Sequence, residues 1–180
     1  MNHPAIDAIL RRRTVRDFRP DPVPYELLEL VVRAACNAPT SGNLQPWEFY
    51  RVVTPSVRER LVAATFGGYS RTAPSQAWLA DAPELLVVCC DPVRTTARYG
   101  EDGPRYARLD VAAAIENMLV AATALGLGSA WVGGFREAEV RQALGLDPDL
   151  EPVGIVAIGY PSTEPPAPYR LPVADVLREV

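Results

Sequence analysis

The densest run of chemically capable side chains in the sequence is Arg11-Arg12-Arg13-Thr14-Val15-Arg16. A guanidinium presents a planar fork of donors that grips phosphate or carboxylate through paired hydrogen bonds. Seven residues after Ile6, Arg13 falls on the apolar stripe of the helix that precedes it. A charge held there needs an anionic partner, because burying it unpaired is costly. The same run also suits a solvated helix end, where cations meet the negative pole of the helix dipole. A second cluster, Ala38-Pro39-Thr40-Ser41-Gly42-Asn43-Leu44-Gln45-Pro46-Trp47, packs hydroxyls and carboxamides into one loop. Such groups donate and accept, as the edge of a heteroaromatic ring requires, and Gly42 permits close backbone approach. They are equally the residues of an ordinary loop. A third cluster, Gly126-Leu127-Gly128-Ser129-Ala130-Trp131-Val132-Gly133-Gly134-Phe135, has Trp131 where a dinucleotide fingerprint needs its third glycine, and it follows a helix instead of opening one. A Rossmann site is therefore disfavoured. Paired glycines at a strand end either admit a flat ligand against bare backbone or form a turn.

Other chemistries lack residues. The single histidine, His3, lies near the N-terminus, so it offers no Ser-His or Cys-His pair and no histidine metal site. The carboxylates are scattered, without an acid and base pair. No catalytic side chain and no metal site are expected, and polar loops without acid–base machinery make sense where a cofactor carries the chemistry. Cys36, Cys89 and Cys90 form no C-x-x-C pair and read as buried thiols of a cytoplasmic chain. The net charge of −4 and pI near 5.1 disfavour nucleic acid, although all 18 basic residues are Arg. The first residues have neither a basic start nor an apolar run, so no signal peptide is expected, and Glu116 and Asn117 interrupt the most apolar stretch, Val111 to Trp131, so no membrane span is expected.

The elements that must position these clusters follow from periodicity. Residues 4–13 predict a short helix with Ile6, Ile9 and Leu10 on one inward stripe. A second helix starts at Pro24, carries Leu27, Leu30, Val31, Ala34 and Ala35 inward, and stops at Pro39. Trp47 to Val53, Leu85 to Cys90 and Pro152 to Gly159 read as strands, the last two covered on both faces. Asp110 to Leu125 predicts a central helix capped by Asp110, and Glu137 to Leu144 a weaker one. Residues 67–80 and 91–108, which carry Tyr69, Trp78, Tyr99 and Tyr106, read as loops or short helices that either line a pocket or merely connect. The 18 prolines, about twice the usual share of roughly 5%, concentrate in part in an extended arm from Pro161 to Pro172. The order predicts one domain over residues 1–180, an α+β layer fold with a mixed sheet.

In sequence order, Arg12-Arg13-Thr14-Val15-Arg16-Asp17-Phe18, Pro39 to Trp47, Gly126 to Phe135 and Ala157-Ile158-Gly159-Tyr160-Pro161 resemble the landmarks of the nitroreductase family. The resemblance covers roughly residues 5–66 and 108–172, and the second motif is its most specific part. It implies a three-layer α+β sandwich with a mixed sheet flanked by helices and an extended C-terminal arm, paired as a homodimer with FMN in the subunit interface. It also implies roles for particular residues. Arg12, Arg13, Thr14 and Arg16 would hold the FMN phosphate and ribityl chain, and Arg170 would return to the phosphate. Pro39, Thr40, Ser41, Asn43 and Gln45 would reach the flavin from the partner subunit, and Gly133 and Gly134 would pass near its reactive nitrogen.

Three departures stand out. Gly133 occupies a position where some relatives carry glutamate, Thr14 replaces a commoner serine while keeping the hydroxyl, and residues 67–108 match no family pattern. The implied activity is hydride transfer from NADH or NADPH through bound FMN to a nitroaromatic, quinone or similar acceptor by a ping-pong mechanism. Alternatives are an oxygen-dependent flavin-fragmenting enzyme, a dehalogenase, or a flavin-binding subunit without its own turnover.

Overall fold

The apolar run of β2 (Glu84–Cys90) is buried at every position, as a strand covered on both faces requires. It pairs antiparallel with β1 (Trp47–Arg51) on one side and with β4 (Glu151–Gly159) on the other, and β4 pairs antiparallel with β3 (Gly128–Val132). The computed structural model, which describes residues 3–68 and 70–180, thus contains a four-stranded sheet in the order β1-β2-β4-β3. Tyr69 lies outside the described residues.

Residues directly opposite one another share a face, and the register sorts the core accordingly. Leu86, Val88, Cys90, Val156 and Ile158 meet helices α2 (Tyr25–Ala35) and α5 (Gly103–Ala124). Leu85, Val87, Cys89, Ile155 and Ala157 face the opposite layer, with α3 (Pro55–Ala64) and α6 (Glu137–Leu144). The expected three layers are present. The named strands all pair antiparallel; the parallel component expected of a mixed sheet is confined to one bridge, Thr14 to Ser129.

Several local expectations change. In α1 (Pro4–Arg11) the only buried residue is Ala8, while Ile6, Ile9 and Leu10 are 54%, 51% and 71% exposed, so the stripe expected to face the core points away from it. In α2 Val31 and Ala35 are buried as expected, Leu28 is buried with them, and Leu30 is exposed. The central helix begins at Gly103, seven residues before the expected cap at Asp110, with Pro104 in its first turn. Its 22 residues make it the longest helix among those described. It can start there because Gly103 lets it cross α4 (Pro92–Tyr99) closely; a Cβ on Gly103 would lie 2.4 Å from the Thr96 Cα.

Helix α4 has its own start signal, with Asp91 accepting the Val93 N–H at 3.0 Å ahead of Pro92. After Pro161 the chain runs without regular structure to a single turn, α7 (Val173–Val176), leaving Tyr169, Leu171, Val173, Val176 and Leu177 exposed. Cys89 and Cys90 are buried, and burial pushes both thiols up to about 12. Cys36, expected to be buried, is exposed because it lies just past the end of α2. No helix among the described residues is long and apolar enough to cross a membrane.

Candidate functional site

The chain leaves α1 at Arg12 and is pinned at once to the edge strand β3. The Val15 N–H donates to the Ser129 carbonyl at 3.0 Å, and the Val15 side chain packs where Gly128 has no Cβ; one built there would lie 2.7 Å from Val15 Cγ2. This anchoring sets the positions of the flanking arginines. Arg12, Arg13, Thr14 and Arg16 line one cavity of about 330 Å³ with Arg170 and Pro165, Pro166 and Pro168 of the C-terminal arm. The structure therefore brings residues from the two ends of the chain to one place.

The charges there are unbalanced. Arg12 has its Nε 3.5 Å from the Glu116 carboxylate, whereas Arg13, Arg16 and Arg170 form no ion pair among the described residues. Arg13 Nη1 donates to the Leu10 and Arg12 carbonyls at 2.9 and 3.0 Å, but its Nε is buried with no partner. The Ser129 hydroxyl, beside Thr14 on β3, is likewise buried without a partner. The solvated helix-end arrangement belongs instead to Arg11, which pairs with Asp7 at 2.9 Å on the surface of α1. Converging guanidiniums repel, and an orphaned buried donor loses solvation without recompense, so an anion with several acceptor oxygens fits this cavity.

The hydroxyl and carboxamide loop is positioned by a residue far away in sequence. The Asp110 carboxylate, buried inside α5, accepts the Ser41 N–H at 2.9 Å and the Ser41 hydroxyl at 3.1 Å. It thereby holds a tight turn, Ser41–Asn43, in which Gly42 and Asn43 have φ of 60° and 57°; Gln45 follows at 50°. Only glycine adopts such angles freely, so the two side-chain-bearing residues are held there by their surroundings. The Thr40 hydroxyl accepts the Gln45 N–H at 3.2 Å, and buried Pro46 and Trp47 tie the loop to β1. Ser41 and Thr40 are thus spent on the loop itself, while Asn43 and Gln45 are exposed and Pro39 lies at the surface. No local sequence signal points to Asp110, apart from an acidic residue on an otherwise apolar stripe.

The two clusters are not neighbours. The arginine cavity adjoins β3 and the loop precedes β1, and these are the opposite edges of the sheet. Gly133 and Gly134 follow β3 and differ from each other. A Cβ on Gly134 would lie 2.7 Å from the Phe66 carbonyl oxygen, and the Phe66 N–H donates back to the Gly134 carbonyl at 2.9 Å, so this glycine serves a close backbone crossing. Nothing lies within 4 Å of a Cβ on Gly133, which is exposed bare backbone. Along a strand rising about 3.3 Å per residue, Gly133 is roughly 13 Å from Ser129.

The family model described as Nitroreductase family matches residues 9–160. The chain belongs to the nitroreductase family. A Thermus thermophilus protein named NADH dehydrogenase is 31% identical over 97% of this chain and 96% of its own length. Among solved structures, nitroreductase A from Vibrio parahaemolyticus superposes with a TM-score of 0.86 at 27% identity, covering 99% of this chain and 77% of that one. The NADPH:FMN oxidoreductase from Vibrio harveyi, complexed with NAD+, does so with a TM-score of 0.85 at 26% identity over 98% of this chain and 77% of that one. The family and fold expected from the four motifs are therefore borne out, and the chain is an oxidoreductase of this family.

Proposed function

We propose that this nitroreductase family member is an FMN-dependent, NAD(P)H-oxidising enzyme of the cytoplasm, a single unit over residues 1–180 that works as a homodimer. The observation that carries the reading is the cavity at β3, where Arg13, Arg16 and Arg170 converge without carboxylate partners and Arg13 Nε is buried and orphaned. A phosphate monoester supplies the acceptor oxygens those donors lack. Arg12, Arg13, Thr14, Arg16 and Arg170 would hold it, the arginines as charged forks and Thr14 as a hydroxyl. Bare backbone at Gly133 would let a flat ring lie against the end of β3.

Asn43 and Gln45, with Pro39, Thr40 and Ser41 behind them, would meet the ring from a second copy of the chain. The support is geometric, since the loop and the cavity occupy opposite sheet edges within one chain. Apolar surface suited to such a contact is present on α1, at Ile6, Ile9 and Leu10, and on the arm, at Tyr169, Leu171 and Val173. Free thiols at Cys36, Cys89 and Cys90 support a reducing compartment.

When bound, FMN supplies the redox chemistry, accepting hydride from NADH or NADPH and reducing a nitroaromatic, quinone or similar acceptor in the same slot. The chain's own part is to bind and orient. Its arginines neutralise the phosphate, its glycine end leaves one face open for two substrates in turn, and its loop donors meet the ring edge. The Relatives named for NADH and for NADPH:FMN chemistry support the donor class. Steady-state kinetics test the reading: double-reciprocal plots against NAD(P)H at several quinone concentrations should be parallel. Intersecting lines would overturn the two-step cycle, and a protein that binds FMN without consuming either nucleotide would leave only a flavin carrier.

A further inference from the structure

A second guanidinium group stands on the other edge of the sheet and is unused by the site above. Helix α4 closes on the 39–45 loop, with Arg98 Nη1 donating to the Gly42 carbonyl at 3.3 Å and Arg94 Nη1 to the Gln45 carbonyl at 3.1 Å. The fit depends on Gly42, since a Cβ there would lie 2.7 Å from Arg98 Nη1 and 2.8 Å from the Tyr99 hydroxyl. Arg94 is neutralised by Asp91 at 2.9 Å. Arg98 and Arg105 form no ion pair among the described residues.

Each of these two lies over its neighbouring tyrosine, Arg98 at 5.6 Å from the Tyr99 ring and Arg105 at 5.4 Å from the Tyr106 ring. The two rings meet edge to face at 5.3 Å. The corner between α4 and α5 that carries them is fixed by the close crossing at Gly103. Half-buried tyrosine rings beside exposed guanidiniums that have no carboxylate partner among the described residues, in a chain of net charge −4, suit an adenine ring attached to phosphate.

We infer that Arg98 and Arg105 recognise a phosphate of the nicotinamide dinucleotide, with Tyr99 and Tyr106 offering the surface for its adenosine. The inference rests on the proposed NAD(P)H-oxidising function. The phosphate of FMN is already provided for at the β3 edge, so an anion held beside the loop belongs to the other ligand. That anion is either the 2′-phosphate found only on NADPH or the pyrophosphate shared by NADPH and NADH.

The test is stopped-flow anaerobic bleaching of the FMN-loaded protein by NADPH and by NADH, comparing the native chain with the double variant Arg98→Ala, Arg105→Ala. Loss of roughly 10-fold in the second-order rate with NADPH alone, the size of one partly exposed charge-assisted contact, identifies the 2′-phosphate. A similar loss with both donors identifies the pyrophosphate. Unchanged rates with both donors overturn the inference while leaving the proposed function standing. A native protein that dithionite bleaches but neither nucleotide does overturns both. FMN content and the thermal midpoint of the variant report whether it has folded, and the pair Arg98→Gln, Arg105→Gln, which keeps the side-chain stems over the tyrosines, carries the same comparison if the alanine pair does not.

Discussion

Replacing Arg13 by alanine removes the guanidinium whose Nε is buried and without a partner in the β3 cavity, and leaves the carbonyls of Leu10 and Arg12 free to bind water. If a phosphate oxygen completes that donor, the variant loses at least one hydrogen bond between charged groups, about 1.5 to 3 kcal/mol. That range is roughly a 10- to 150-fold rise in the FMN dissociation constant. The lower half applies, about 10- to 30-fold, because Arg13 is only half-buried and Arg12, Arg16 and Arg170 remain nearby. Arg178→Ala is the control. Its guanidinium is exposed and bonds only the carbonyls of Ala174, Asp175 and Leu177 at the end of the arm. Recovery of FMN fluorescence on serial dilution gives both dissociation constants. Equal FMN retention in the two variants would refute the assignment of the cavity to a phosphate.

Four further outcomes follow from the same geometry. Asp110→Ala strands the Ser41 N–H and hydroxyl and should lower stability by about 1 to 3 kcal/mol; combining it with Ser41→Ala should cost less than the sum of the two changes in chemical denaturation, and strict additivity would deny the contact. Gly134→Ala forces a methyl against the Phe66 carbonyl and should destabilise by about 1 to 3 kcal/mol, whereas Gly133→Ala should stay within about 0.5 kcal/mol of the native chain, and thermal melts that fail to separate them would contradict the crossing. A thiol reagent at pH 8 should label Cys36 alone in the native protein, since Cys89 and Cys90 are buried with thiols pushed up to about 12. Because those two pKa values are raised above the ordinary 9.0, the unfolded chain gives up the protons first, so stability should hold below about pH 9 and fall as pH rises towards 12; a denaturation midpoint flat across that window would contradict the burial.

The parts of the fold that were legible in the sequence are those whose signal is local. Strands β2 and β4 are uninterrupted apolar runs, and α6 is bounded as its pattern predicts, Glu137–Leu144. Strand β3 is harder to see, because it is only five residues long and begins on a glycine, and α3 buries just Leu61 and Ala64, too little for a clear stripe. The stripe of α1 was legible but its direction was not. Periodicity reports that Ile6, Ile9 and Leu10 share a face, and says nothing about whether the same chain or another covers it.

The site divides in the same way. Arg12, Arg13, Thr14 and Arg16 announce themselves by density, while Arg170 reaches them only because the proline-rich arm folds back. Asp110 reads as a helix cap, yet its partner Ser41 is 69 residues away, and a contact at that separation leaves no local trace. The separation of the loop from the arginine cavity is a property of strand order, which none of the motifs encodes.

The most direct measurement is the visible spectrum of the purified protein, recorded before and after NADPH and then NADH are added without oxygen. The account predicts a yellow protein with about one FMN per chain whose flavin bands bleach with at least one of the two nucleotides. A colourless protein that cannot be reconstituted with FMN would contradict it, because the unpaired arginines at β3 would then have to be answered by some other anion.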